Sequence, residues 1–269
     1  MMETTNSLTW SKYDQQQSLI RFASWLAFVM LLVYCWQVMN EQTIWYFVTD
    51  APNQFSDITS RMFPPRWSYL GDLWQPLWDT INIATLGTGL GVLIAVPVAF
   101  LAARNTTPST VFLRPIALFI IAASRSINSL IWAILLVTIL GPGILAGIIA
   151  IALRSIGFVS KLLYEAIEEV NEGQVNAIRS TGASELQILN YAIVPQVLPN
   201  FIGTTLLRWD INIRESTVLG LVGAGGVGLK LEESMSILAW PQVAVIFCAI
   251  LLTVVVSEWI SAKARKALI

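Results

Sequence analysis

The chain has 269 residues, of which 55% are hydrophobic and 12% charged, with a formal net charge of −1. Soluble domains carry about 25% charged residues. A mean hydropathy of +0.66 therefore excludes an ordinary water-soluble globule and describes a polytopic membrane protein. The near-neutral balance says nothing about partners, no nucleic-acid partner is expected of such a membrane protein, and the absence of histidine excludes His-based metal sites and His general bases.

Residues 1–21 are polar and read as a frayed N-terminal segment. No small-residue cleavage pattern accompanies the first apolar run, which is expected to be an uncleaved span. That run, residues 22–39, is 18 residues without a charge, long enough to cross a bilayer. Residues 40–78 are polar and aromatic, with acids at Glu41, Asp50, Asp57 and Asp72. Trp45, Trp67, Trp74 and Trp78 there suit a membrane interface. Cys35 and Cys248 both sit in apolar runs and are expected to be buried packing residues, not a disulfide or metal pair.

A permease-sized core is expected over residues 79–262, opening with a second span from Ile81 to Ala103. Gly87 and Gly91 form a GxxxG pair in it, ordinarily a helix-packing device. Arg104 to Arg114 is a short basic loop. The uncharged run from Ser126 to Leu153 is broken by Gly141-Pro142-Gly143, which leaves 15 residues before the turn and 10 after it. Both are too short to cross. The third helix is therefore expected to start near Pro115 and include Arg125, and the fourth to run past Arg154. At about 1.5 Å per residue, Arg125 would lie ~24 Å and Arg154 ~17 Å from the turn.

Residues 171–199 form the long polar interruption in the second half. They read as two short amphipathic helices joined at Gly182, which tolerates a left-handed C′ conformation. Asn171 with Gln174, and Ser184 with Gln187, fit capping boxes. Val175 and Ile178 mark one apolar face; Leu186, Leu189 and Ile193 mark another. Pro195 and Pro199 punctuate the approach to a fifth span near Val197. Its uncharged part ends at Leu207, so it must carry Arg208, Asp210, Asn212, Arg214 and Glu215. A Gly-rich stretch holding Gly223, Gly225, Gly226 and Gly228 follows, then a polar link at Lys230, Glu232 and Glu233, the last span from Val243 to Ser257, and a basic tail over 263–269.

Six spans result. The positive-inside rule places the basic tail and the Arg104–Arg114 loop in the cytoplasm, so both termini and the 171–199 loop fall inside and the 40–78 segment outside. Four arginines (125, 154, 208, 214) against two acids (Asp210, Glu215) leave an excess of +2 at bilayer depth. A charge there costs at least about 2.5 kcal/mol unless it faces protein or water. Guanidinium forks match phosphoryl oxygens, so an oxyanion path is one reading. Internal pairing is the other, since Asp210 and Arg214 are four apart on a helix.

Gly223-Ala-Gly-Gly-Val-Gly228 satisfies GxGxxG, but the dinucleotide fingerprint needs a preceding strand; a close-packed bend is expected, with an anion nest as the alternative. Asn105-Thr-Thr107 matches a glycosylation acceptor by chance, on the inside. No P-loop occurs.

Two stretches carry a family resemblance. Asn176-Ala177-Ile178, three residues, Gly182, nine residues and Ala192-Ile193-Val194-Pro195 resembles the EAA loop of ABC importer permeases, with Asn176 in place of the family's Glu. The segment from Asn212 to Gly228, with Ala123-Ser-Arg-Ser-Ile127 and Arg179-Ser-Thr-Gly-Ala183, resembles the phosphonate branch, which includes phosphite and hypophosphite importers. The resemblance covers roughly residues 75–265. It implies an all-α integral membrane protein of about six transmembrane helices with the type I ABC importer permease fold, multi-pass in a bacterial inner membrane. It implies a homodimer, two ABC ATPase subunits and a periplasmic substrate-binding protein, with lipid around the helices. The chain would bind no cofactor or metal and hydrolyse nothing; ATP and Mg would sit on the partner ATPase.

The resemblance assigns ATPase coupling to Asn176, Ala177, Ile178, Arg179, Gly182, Ala183 and Pro195. Beside the resemblance, charge at bilayer depth and the Gly-rich bend place the expected translocation path or gate at Arg125, Arg154, Arg208, Asp210, Asn212, Arg214 and the four glycines 223, 225, 226 and 228. Transport would follow alternating access driven by ATP. The alternatives are an ABC permease for an amino acid such as methionine, a secondary transporter or channel, and an intramembrane enzyme. The lack of an inverted repeat and of an acid–His relay counts against the transporter; the lack of a defensible catalytic grouping counts against the enzyme.

Overall fold

A computed structural model describes residues 15–268. Among them every regular element is helical. The chain divides into two units, 1–59 and 60–269. The first contains α1 (Gln15–Gln42) and most of α2 (Trp45–Met62). The predicted first span falls within α1; the part of the N-terminal segment before residue 15 lies outside the described residues.

In the second unit a 3₁₀ turn (Trp67–Leu73) leads into α3 (Trp74–Ala102). The buried positions of α3, among them Thr80, Ala84, Gly87, Gly91, Ala95 and Ala99, recur at three- and four-residue spacing and are small. This stripe lets the α3 backbone approach α6 (Ile144–Glu168) closely. A Cβ at Gly87 would lie 2.7 Å from Ile151 Cγ2, and one at Gly91 2.6 Å from Ser155 Cβ. The GxxxG pair is thus a helix-packing seam.

The third span differs from expectation. It is not one helix through Arg125 but two, α4 (Leu113–Ser126) and α5 (Ser129–Leu140), bent by 87°. Asn128 starts α5 as an N-cap, its side chain accepting the Leu130 N–H at 3.0 Å, which satisfies an orphan donor and makes a new helix start cheaper than continuation. Arg125 therefore ends α4 and is not ~24 Å up a straight helix.

The 171–199 loop is also rearranged. α7 (Glu172–Arg179) is the one separate short helix. α8 (Glu185–Ile188) runs through a π turn (Leu189–Ile193) directly into α9 (Val194–Gly220). Pro195 stands in the first turn of α9, directly after the π turn whose last bond is Val194 N–H to the Leu189 carbonyl. The Ser184–Gln187 capping box forms, with Ser184 N–H donating to Gln187 Oε1 at 2.8 Å. The Asn171–Gln174 box does not, because Gln196 Oε1 takes the Asn171 N–H at 2.9 Å. The buried face is Val175, Ile188, Ala192, Ile193 and Val197; Leu186, expected on it, is exposed, since the π turn resets the helical register.

The predicted polar link at Lys230 is a helix, α10 (Val227–Ser236), and α11 (Trp240–Leu268) is the last span. Cys35 and Cys248 are free and exposed, not buried: an apolar run in a span has a lipid face as well as a protein face. Among the described residues no group of His, Cys, Asp and Glu could hold a metal.

Four stretches are long and apolar enough to cross a membrane: α1, Trp67–Ala102, α6 and α11; the bent α4–α5 pair makes a fifth. The 27-residue α9 is long enough but carries four charges. Counting it gives the expected six, of which two are irregular. The protein is a multi-pass, all-α membrane protein.

Candidate functional site

α9 sorts its polar residues by helical period. Arg208, Asn212, Glu215 and Ser216 recur at three- and four-residue spacing and share one face; Asp210 and Arg214 share another. The first face meets α3 and α6. Arg208, only 3% exposed, donates from Nε to Ser155 Oγ at 3.1 Å. Its two terminal nitrogens each reach a Glu215 oxygen at 3.4 Å. Its guanidinium also lies 5.3 Å from the centre of the Phe158 ring. Arg154 on α6 approaches the same carboxylate, Nε to Oε1 at 3.5 Å, and donates to the Ile127 carbonyl at 3.3 Å. Glu215 thus sits between two arginines from different helices.

Asn212 extends the network. Its amide donates to Thr88 Oγ1 at 2.7 Å and to Ser155 Oγ at 3.0 Å, while its Oδ1 is buried without a partner. Ser216 donates to the Thr80 carbonyl at 3.2 Å. On the second face Arg214 meets Asp210 at 2.8 Å, and Ser257 of α11 donates to the other Asp210 oxygen at 2.9 Å. Charge and polar contacts at this depth are therefore mostly internal, as membrane burial demands.

One part of the cluster is open. A cavity of about 280 Å³ is lined by Asn128, Ser129, Leu130, Arg214, Glu215 and Val218, with Leu219. Arg214 is 45% exposed against 5% for its partner Asp210, so the guanidinium keeps free donor directions. The α4–α5 break and the α9 charges thus meet at one hollow.

The Gly-rich stretch reverses the chain between α9 and α10. Gly226 has φ +77°, a left-handed conformation, and a Cβ there would lie 2.6 Å from Thr80 Oγ1. That hydroxyl accepts the Val227 N–H at 2.8 Å. Among the described residues no strand precedes the stretch, so its glycines are a packed turn and not a dinucleotide loop.

At the other end, α7 docks through Val175, which packs with Leu163, Ile167, Ile188 and Ile193. Asn176, Ala177 and Arg179 project outward and Ile178 is half-buried; Arg179 donates to Asn176 Oδ1 at 3.2 Å. A cavity of about 840 Å³ separates α7 from the 104–108 loop, which Arg104 N–H and Arg114 tie to Glu168 at 2.8 and 3.6 Å.

Residues 95–264 match the family described as binding-protein-dependent transport system inner membrane component. The chain belongs to that family. The permease is 37% identical over 243 residues to the phosphite transport system permease protein PtxC of Stutzerimonas stutzeri, covering 90% of this chain and 86% of that one. It is 39% identical over 220 residues to the phosphate-import permease protein PhnE of Mycolicibacterium smegmatis, covering 82% of this chain and 41% of that longer protein. Among solved structures, an inward-facing MetNI methionine ABC transporter chain matches with a TM-score of 0.63 at 20% identity, covering 73% of this chain and 96% of that one. The fold is that of ABC importer permeases.

Within the permease, the fold brings together Arg154, Arg208, Asp210, Asn212 and Arg214, all expected at the path. Arg125 stands apart: it is exposed, with its stem against Gly157. Gly223, Gly225 and Gly226 lie in the α9–α10 turn and Gly228 in the first turn of α10, and Gly223 ties to the other turn through Gly143 N–H at 2.9 Å. Ser155, Thr88 and Asn128 were not among the sequence candidates. Only Asn128 had a local signal, an Asn before an apolar run; the hydroxyls are ordinary span residues until a neighbouring helix faces them. Gly182 has φ +78° with open space around its Cα. Gly182→Val is expected to cost about 1–2 kcal/mol from the left-handed backbone alone, read as a lowered melting temperature of the detergent-purified permease.

Proposed function

We propose that this permease is the membrane-crossing subunit of an ATP-driven importer of phosphonates or related phosphorus oxyanions such as phosphite and hypophosphite. The carrying observation is Arg214 opening, beside Glu215, into the 280 Å³ hollow at the helix break, in a chain whose relatives are phosphite and phosphate permeases. Arginine pairs bidentately with phosphoryl oxygens, and the hollow suits a small anion. A binding protein delivers substrate on the outer side, and two copies of the permease frame the path. Two ATPase subunits grip the outward residues of α7 (Asn176, Ala177, Arg179) with Ile178, Gly182, Ala183 and Pro195. Their closure and release on ATP binding and hydrolysis rock α9 against α3 and α6. The termini, the 104–114 loop and α7 face the cytoplasm; the 40–78 segment faces out.

The test is ATP hydrolysis by the reconstituted complex as methylphosphonate, phosphite, hypophosphite, phosphate and methionine are added in turn. Stimulation by a phosphorus oxyanion is expected. Stimulation by methionine alone would retain the importer and discard the oxyanion path. A complex that co-purifies with no ATPase would discard the importer. Separately, Arg214→Ala and Arg154→Ala are expected to lower uptake about tenfold, the loss of one charge-assisted hydrogen bond, while the assembled complex forms at its normal yield. Unchanged uptake in well-assembled variants would remove these arginines from the path.

A further inference from the structure

α2 is an 18-residue helix with no buried residue. At 100° per residue its later turns divide into two sides, while in the first turn Tyr46 falls among the polar positions and Phe47 at the boundary. Trp45, Val48, Phe55 and Ile58 fall on one side, which ends at Met62 packed against the protein core, while Asp50, Asn53, Asp57 and Arg61 fall opposite. Phe55 is 74% exposed and Val48 49%. On the polar side Gln54 and then Asn53 donate to the Asp50 carboxylate at 2.9 and 3.0 Å, which holds its pKa below the ordinary carboxylate value and keeps that side ionised.

The position of α2 along the chain limits where this apolar side can go. α1 has 28 residues and is about 42 Å long, close to the roughly 40–45 Å of a bilayer with its headgroups. It ends at Gln42, and only Thr43 and Ile44 separate it from Trp45. Two residues reach at most about 7 Å. The α2 N-terminus therefore starts at the headgroup level, with an indole at its first position, where tryptophan is enriched. Asp50 and Asp57 keep the helix from entering the hydrocarbon, and the apolar side keeps it from leaving for water.

We propose that α2 is an in-plane lipid anchor: its Trp45–Val48–Phe55 side lies in the headgroup–acyl boundary of the leaflet where α1 emerges, with Asp50, Asn53 and Asp57 turned to water. Burial of such a face scales with its apolar area; attraction to anionic lipid contributes nothing, since the helix carries two acids and one arginine. The inference rests on α1 crossing the membrane and is independent of the substrate.

The experiment uses the full chain in phosphatidylethanolamine–phosphatidylcholine liposomes, in a Cys35→Ser, Cys248→Ser background. Spin labels are placed singly through Phe55→Cys, Val48→Cys and Asn53→Cys, all at exposed positions whose side chains support no core packing. Collision with oxygen and with a water-soluble nickel chelate reports depth. Labels at 55 and 48 are expected to favour oxygen and to lie about 5–10 Å below the phosphates, while the label at 53 favours nickel. Nickel access at 55 and 48 would overturn the anchor, as would a lipid-like reading at 53. Shielding of 55 and 48 from both reagents would also overturn it, and would assign the face to a protein partner, a second copy or the binding protein.

Discussion

Gly228→Ala is expected to abolish accumulation of folded permease. The end of α9 and the start of α10 cross backbone to backbone at this glycine. A Cβ on Gly228 would overlap the Thr217 carbonyl oxygen and lie 2.9 Å from Gly220 Cα. From the other side, a Cβ on Gly220 would lie 2.6 Å from Gly228 Cα and 2.7 Å from the Gly225 carbonyl. These obstacles are backbone atoms with no rotamer to change. The substitution falls at the upper end of overpacking effects, about 3 kcal/mol or more, a large part of a marginal stability. Fluorescence-detected size exclusion of the tagged permease reads the result as loss of the monodisperse peak. Gly89→Ala is the control. Gly89 lies in α3 with nothing within 4 Å of an added Cβ, so it should be tolerated and gain up to about 1 kcal/mol of helix propensity. A normal Gly228→Ala peak would mean that the two helices do not meet as described.

Glu215→Ala should destabilise the permease by about 3–5 kcal/mol, the usual consequence of stripping a buried ion of its partner. Arg208 is 3% exposed, and Glu215 is its acidic partner among the described residues. Removing that carboxylate leaves one arginine buried and deprives Arg154 of its ion pair. A paired replacement separates structure from transport. Arg208→Met with Glu215→Leu removes both charges and keeps apolar volume, so the melting temperature should return toward that of the parent. Transport should not return, because Arg154 would have lost the acid that orients it. Equal destabilisation by the single and the double change would show that a stranded Arg208 is not what the loss of Glu215 costs.

How much of this could be read before folding differs from element to element. Gly141-Pro142-Gly143 ended one span and started another where expected, because a Gly-Pro-Gly run dictates its own backbone. The Ser184–Gln187 box formed because both its partners are three residues apart. The Asn171–Gln174 box, equally legible, lost to Gln196, a residue 25 positions away that only the docking of α7 against α9 brings close. Pro195 was expected at the approach to the fifth span and stands in the first turn of α9. The α4–α5 bend has a local signal in Asn128, which caps α5, whereas span length by itself favours one straight helix.

The residue order alone settled the helical class, the approximate number of spans and the presence of charge at bilayer depth, because hydropathy, helix caps and glycine turns act over a few neighbouring positions. It also paired Asp210 with Arg214, which one helical turn brings into reach. Only the packed helices decided that Glu215 serves Arg208 and Arg154 together, that Ser155 and Thr88 receive Asn212, and that Arg214 opens beside Glu215 into a hollow. Those outcomes depend on crossing angles and on which side of each helix faces its neighbour. In a span both the lipid side and the protein side are apolar, so hydropathy cannot distinguish them; small residues such as Gly87 and Gly91 mark the contact, and its polar partners appear only when two such faces meet.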